Sequence, residues 1–265
     1  MVPCLTNDSH TFIANEIYTC GIVNNAQITP PVKKVRLNTA DAESIRRKVL
    51  DCYIGDGDTR LGYKVGFTST IVQEQHGISE PEFGYLTSSM KLTIQGQIPL
   101  HGTAPVLVEP EICFKLADGF EGAELSVEDV LEKTERIYLS LELVESRVGL
   151  TSGIDNVIMD NVGASRILIS EPGFSPGDFD LENTTVNLMV DDLHFTGKTS
   201  DVLGNPANSV IWLNRRLTKL GPLGGRLGKG DYVMTGSPIK PVPLVKGSMI
   251  KAEWCGFGTI EVEMV

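Results

Sequence analysis

Glycine and proline punctuate this chain so often that little of it can be long helix. The 265 residues carry 27 Gly and 14 Pro, and the stretches between them alternate apolar with polar residues, the pattern of short strands with one buried face. Over 106–116 the even positions read Val106, Val108, Pro110, Ile112, Phe114 and Leu116, while the odd ones include Glu109, Glu111, Cys113 and Lys115. Over 137–147 the odd positions Ile137, Leu139, Leu141 and Leu143 are apolar, and Glu142 points the other way. Further strands are expected at 63–67, 185–190, 232–235, 249–254 and 259–265, with Asp191-Asp192 as a hairpin turn. Only three stretches hold a helical period: Ala42, Ile45, Val49 and Tyr53 after Asn38, a run from Ser126 towards Arg136, and Ala207 to Leu217 after Asn205-Pro206. Many short strands with a few helices make an α+β chain rather than a regular βαβ alternation.

Charge then narrows the partners. Lys and Arg number 23 against 34 Asp and Glu, a net charge of −11, and the short cationic clusters sit on the amphipathic helices. A protein of that sign has no counterion release to gain from a phosphate backbone, so nucleic acid is excluded as the expected partner. Cys4, Cys20, Cys52, Cys113 and Cys255 are odd in number and never form C-x-x-C, the usage of a reduced, cytoplasmic protein rather than of a disulfide framework or zinc ribbon. The first residues lack the basic start and apolar run of a signal peptide, and no stretch approaches the roughly 20 apolar residues of a membrane span.

Where the chemistry lies is suggested by the strand pattern. Residues two apart on a strand share a face, so Glu109 and Glu111 project side by side, and like charges that close need solvent or a cation between them. Glu142, on the polar side of another apolar strand, is a third oxygen donor, and three carboxylates with open positions suit Mg²⁺ or Mn²⁺. Glu261-Val-Glu263 has the same spacing and reads as a solvated face. Lys64 lies between Tyr63 and Val65 and precedes small and hydroxylated residues; it reads either as a partly buried proton shuttle or as a snorkelling strand lysine.

Taken in order, Lys64-Val-Gly-Phe-Thr-Ser69, Glu80-Pro-Glu-Phe-Gly-Tyr-Leu86, Glu109-Pro-Glu-Ile112, Glu142-Leu-Val-Glu-Ser-Arg147, Asp160-Asn161, Gly204-Asn-Pro-Ala-Asn208 and Thr235-Gly-Ser237 resemble the 2-keto-4-pentenoate hydratase and 4-oxalocrotonate decarboxylase family of the fumarylacetoacetate hydrolase-like superfamily. The resemblance implies a mixed β-sheet roll or sandwich with a few flanking helices: a helical cap over 1–60 and a catalytic domain over 61–265. It implies Glu109, Glu111 and Glu142 as ligands of Mg²⁺ or Mn²⁺, Lys64 and Glu82 as acid and base, and Thr68, Ser69, Asp160, Asn161, Thr235 and Ser237 around the substrate. Glu82 stands where the hydratases carry aspartate. Val162, Gly163 and Ala164 replace the hydroxyls that many members place after Asp-Asn.

The chemistry implied is addition of water to a 2-hydroxy-2,4-dienoate, giving a 4-hydroxy-2-oxo acid in aromatic-compound catabolism, by a homo-oligomer. A 2-oxo acid can chelate an octahedral cation, which then polarises its C2 carbonyl. Decarboxylation of an oxalocrotonate-like diacid needs the same electron sink without water activation. A third reading is a catalytically altered metal-binding partner subunit. His10, His76, His101 and His194 are isolated, and no Ser-His-Asp arrangement or water-activating His-Glu pair stands out. The glycine-rich run from Gly221 to Gly228 follows a helix and precedes a strand, the reverse of a phosphate-binding loop.

Overall fold

A computed structural model describes residues 5–24, 26–28, 37–69, 72–74, 77–94, 96–122, 124–149 and 153–265; Cys4 and His76 lie outside them. The helical period after Asn38 becomes α2 (Thr39–Gly55), opened by a reciprocal capping box between Asn38 and Asp41. It is preceded by α1 (Asn7–Glu16), which runs on into a π-helical segment, Ile17–Val23. Its apolar stripe is only Ile13, Ala14 and Ile17, too thin to register as a period. Helix α3 (Val127–Glu132) starts at the Ser126 capping box but ends short of Arg136. Thr134 already belongs to strand β6 (Thr134–Glu145), because ladder pairing with a neighbouring strand competes with continued helix there. A short α4 (Ile154–Met159) and the longer α5 (Ala207–Leu220) complete the helices labelled here, with Asn205 Oδ1 accepting from Ala207 N–H at the start of α5.

The remaining strands are β1 (Arg60–Gly66), β2 (Glu82–Thr87), β3 (Lys91–Leu92), β4 (Gln97–Ile98), β5 (Val106–Leu116), β7 (Ala164–Ile169), β8 (Thr185–Val190), β9 (Leu193–Lys198), β10 (Tyr232–Met234), β11 (Val242–Leu244), β12 (Met249–Trp254) and β13 (Gly258–Met264). Among the described residues they form two sheets. The larger runs β2-β1-β10-β5-β6-β7-β3 with β11 also on β5, and the smaller runs β4-β13-β12-β8-β9. Strands β2 and β7 carry little alternation, so no period marks them; tertiary cover buries β2 at every position and β7 at most of them. Asp191 takes φ 53° in the β8–β9 hairpin, at the expected turn. Parallel and antiparallel pairings are mixed, and the architecture is the α+β one of curled sheets with flanking helices.

The faces of the larger sheet have different jobs. One face, carrying Tyr63, Phe83, Ile112, Phe114, Leu139 and Leu141, shares a core with Leu188, Trp254 and Ile260 of the smaller sheet. The opposite face contributes Cys113, Tyr138 and Met234 to a second core with Ile13 and Ile17 of the N-terminal segment and Ala42, Ile45 and Val49 of α2. By alternation and register, Lys64, Glu109, Glu111 and Glu142 project from this second face. Helices and loops cover them, so charges that an open sheet would hand to water are enclosed. No helix among the described residues is long and apolar enough to cross a membrane.

Candidate active site

Strands β5 and β6 pair antiparallel with Glu109 directly opposite Glu142 and Glu111 opposite Ser140. Ligand oxygens of Glu109, Glu111 and Glu142 lie within 4.8 Å of one another. Glu111 and Glu142 are 1% and 0% exposed, while Glu109 reaches the cavity wall. Glu111 Oε2 accepts from Gly236 N–H at 2.8 Å. Neither Glu142 oxygen has a donor in hydrogen-bond geometry, although Lys64 Nζ approaches Oε2 at 3.2 Å as an ion pair. Burial, opposed by Lys64 and reinforced by Glu142, pushes Glu109 up to about 7, and burial beside the other two carboxylates raises Glu111 well above the ordinary range. A buried, oxygen-only, under-neutralised cluster fits a hard divalent cation and little else.

Lys64 is 3% exposed and held from two sides. Burial alone would lower its ammonium, but Glu142, Glu109 and Glu111 outweigh burial and hold it above its usual value. Its Nζ also donates to the carbonyl of Val162 at 3.3 Å. That carbonyl is aimed by three consecutive left-handed residues, Asn161, Val162 and Gly163, at φ 55°, 52° and 67°, a conformation that a β-branched residue rarely adopts. The Asn161 amide clips the turn to β2, accepting from Tyr85 N–H and donating to Tyr85 O. Glycine is required opposite: a Cβ on Gly84 would meet Asn161 O at 2.4 Å.

A cavity of about 860 Å³ opens from this cluster. Of the residues expected to act on or bind substrate, Lys64, Thr68, Ser69, Asp160 and Ser237 line it, as does Glu109. Thr235 does not: it is fully buried beneath, its hydroxyl donating to Ile112 O. Asn161 is committed to Tyr85, and Asp160 to Arg147, whose Nε donates to Asp160 Oδ1 at 2.7 Å. Glu82, opposite Gly66 in register, is absent from the lining. Its carboxylate lies 3.4 Å from both Arg46 and Arg216, which also bind Glu43; burial raises it and the two arginines lower it, with burial prevailing.

Two contributors carry no signal in the sequence, and a third carries little. The Val162 carbonyl and Gly236 N–H are backbone groups that any residue offers. Arg147 is 1% exposed and reaches Asp160, Glu145 and the Ala164 carbonyl; only the unusual placement of an arginine at the end of an apolar strand hinted at burial.

No protein-family model matches the chain. It is 28% identical over 233 residues to a 2-oxo-hept-4-ene-1,7-dioate hydratase of Escherichia coli, covering 85% of this chain and 86% of that one. It is also 28% identical to a 2-keto-4-pentenoate hydratase of Paraburkholderia xenovorans, covering 86% and 84%. A solved 4-oxalocrotonate decarboxylase from Pseudomonas putida, complexed with magnesium and adipate, superposes with a TM-score of 0.91 at 22% identity over 99% of both chains. A fumarylpyruvate hydrolase from Pseudomonas aeruginosa, with Mn²⁺ and pyruvate, gives 0.62 at 16% identity over 78% of this chain and 90% of that one. With its motifs in register, this chain is similar along most of its length to hydratases of the 2-keto-4-pentenoate type, and it shares its fold end to end with a 4-oxalocrotonate decarboxylase.

Proposed function

We propose that the protein is a metal-dependent hydratase that adds water to a 2-hydroxy-2,4-dienoate to give a 4-hydroxy-2-oxo acid. The observation that carries this is the convergence of three carboxylates and a buried lysine on one cavity, in a chain whose relatives along most of its length are named hydratases. Glu109, Glu111 and Glu142 would hold Mg²⁺ or Mn²⁺, which supplies polarisation of the 2-oxo group when bound. Lys64 Nζ, anchored by Glu142 and the Val162 carbonyl, is the proton carrier between the two tautomers of the substrate. Thr68, Ser69 and Ser237 offer hydroxyls along the cavity to the substrate carboxylate and to water.

Glu82 is our second acid. Ketonisation needs one proton delivered at the distal carbon, and Glu82 is a buried carboxyl on the neighbouring strand. Its service requires release of an arginine contact, so Arg46 and Arg216 would regulate its basicity. Scattered cysteines without C-x-x-C support a reducing cytoplasm, and the family resemblance supports a homo-oligomer, which light scattering measures.

The test is the ultraviolet absorbance of 2-hydroxypenta-2,4-dienoate. With Mg²⁺ or Mn²⁺ it should disappear, with a 4-hydroxy-2-oxo acid formed and no CO₂. Release of CO₂ from an oxalocrotonate-type diacid, without hydration, would instead make the protein a decarboxylase. Inertness towards every 2-hydroxydienoate in the presence of metal would sink the hydratase reading.

A further inference from the structure

Moving along β5 and β6 from the carboxylates, the next pair on the same face is Leu107 opposite Val144. Both line the cavity, together with Val148, Val157, Val162 and Ile239. The apolar wall begins at the reacting centre itself: an added Cβ on Gly66 would sit 3.3 Å from Lys64 Nζ and 3.4 Å from Val162 Cγ1. A cavity of about 860 Å³ is far larger than a five-carbon acid needs.

The charges of this cavity are already matched. Its acids Glu145 and Asp160 are neutralised by Arg147, with Arg166 adding a second contact to Glu145. Arg147 further donates to the carbonyls of Asp160 and Ala164. Lys64 is committed to Glu142. The remaining lining cation among the described residues, Lys240, is exposed at the rim, where Asp201 also lies; an ion pair there is worth little. Among the described residues no buried cation is left for a second substrate carboxylate, whose desolvation would go unanswered.

From this we infer that the site selects 2-oxo and 2-hydroxydienoic monoacids bearing an apolar extension of several carbons, and discriminates against diacids of equal length. The inference rests on the hydratase reading for the orientation of the substrate, with its 2-oxo acid end at the carboxylate cluster and its tail on the Leu107–Val144 side.

Binding separates the two claims. Titration calorimetry of the Mn²⁺-loaded full-length protein with 2-oxobutanoate, 2-oxohexanoate and 2-oxoheptanoate should show affinity rising by about fourfold per methylene. The diacid 2-oxoheptanedioate should bind at least tenfold more weakly than 2-oxoheptanoate. Val144→Thr, which keeps the volume and adds a hydroxyl, should flatten the chain-length series at least threefold, with circular dichroism and Mn²⁺ binding recorded as folding controls; Val157→Thr is the second variant should the first misfold. A diacid that binds as well as or better than the monoacid, or a flat series in the wild type, overturns the inference. An intact series without hydration of any dienoate overturns the hydratase reading and leaves this inference standing. Absence of binding by every 2-oxo acid overturns both.

Discussion

Glu109-Pro-Glu111 and Glu261-Val-Glu263 are the same motif on two strands, and they have opposite fates. The first lies on β5 near the middle of the larger sheet, under helices and loops, with Glu111 and the facing Glu142 almost fully buried. The second lies on β13 of the smaller sheet, where Glu261 is exposed beside Lys251 Nζ at 3.6 Å and Glu263 accepts from Gln97. Spacing puts two carboxylates on one face in both cases; cover decides whether they repel in a dry site or dissolve into solvent. Only the buried pair meets a third carboxylate and a lysine, so only there does the repulsion become affinity for a cation.

That contrast can be broken most directly at its buried end. Glu111→Ala should weaken Mn²⁺ binding by more than about 100-fold, beyond what loss of an outer-shell partner gives, and should abolish dienoate turnover; calorimetry and the ultraviolet assay check it. Next in size, Lys64→Met should lower kcat by about 10²- to 10⁴-fold, the usual value of a general acid or base, while the folded protein keeps its cation site. Glu82→Gln sharpens the assignment of the distal acid: kcat should drop by on the order of 100-fold with KM little changed. If instead the melting temperature falls and kcat holds, Glu82 serves only to pair Arg46 and Arg216.

Protons and metal compete for the buried carboxylates, which gives a smaller but signed effect. Because Glu109 is pushed up to about 7 and Glu111 is also raised, the metal-free folded state binds protons that the unfolded chain releases above its ordinary carboxylate range. Stability of metal-free protein should therefore rise as pH falls through about 7, and decline again as pH increases. Saturating Mn²⁺ should flatten that slope, since the bound carboxylates, like those of the unfolded chain, are ionised across this range, and should add about 2.7 kcal/mol at a hundred times its Kd. Thermal melts with chelator and with Mn²⁺ between pH 6 and 8 measure both. The smallest expected effect lies at the exposed end of the comparison: Glu261→Ala should change stability by no more than about 0.5 kcal/mol and leave Mn²⁺ affinity intact.

Alternation on Val106–Leu116 and over 137–147 was enough to put Glu109, Glu111 and Glu142 on one side of two strands, and the Asn38 and Ser126 caps marked where helices begin. Strands β2 and β7 and helix α1 were hidden because their burial comes from partners distant in sequence, not from a period of their own. The end of α3 was hidden for the same reason, as ladder partners claim Thr134 onward.

At the site the division is sharper. Sequence by itself determined the residue types and order that carry the resemblance to the hydratases, and the parity that lets the carboxylates meet. Tertiary structure alone decided that Glu109 stands opposite Glu142, that Lys64 is gripped by Glu142 and a strained Val162 carbonyl, and that Glu82, Asp160 and Asn161 are spoken for by Arg46 and Arg216, Arg147, and Tyr85. The reason is physical: parity along a strand is local and fixed by the backbone, whereas desolvation and pairing of a charge depend on what the rest of the chain brings over it.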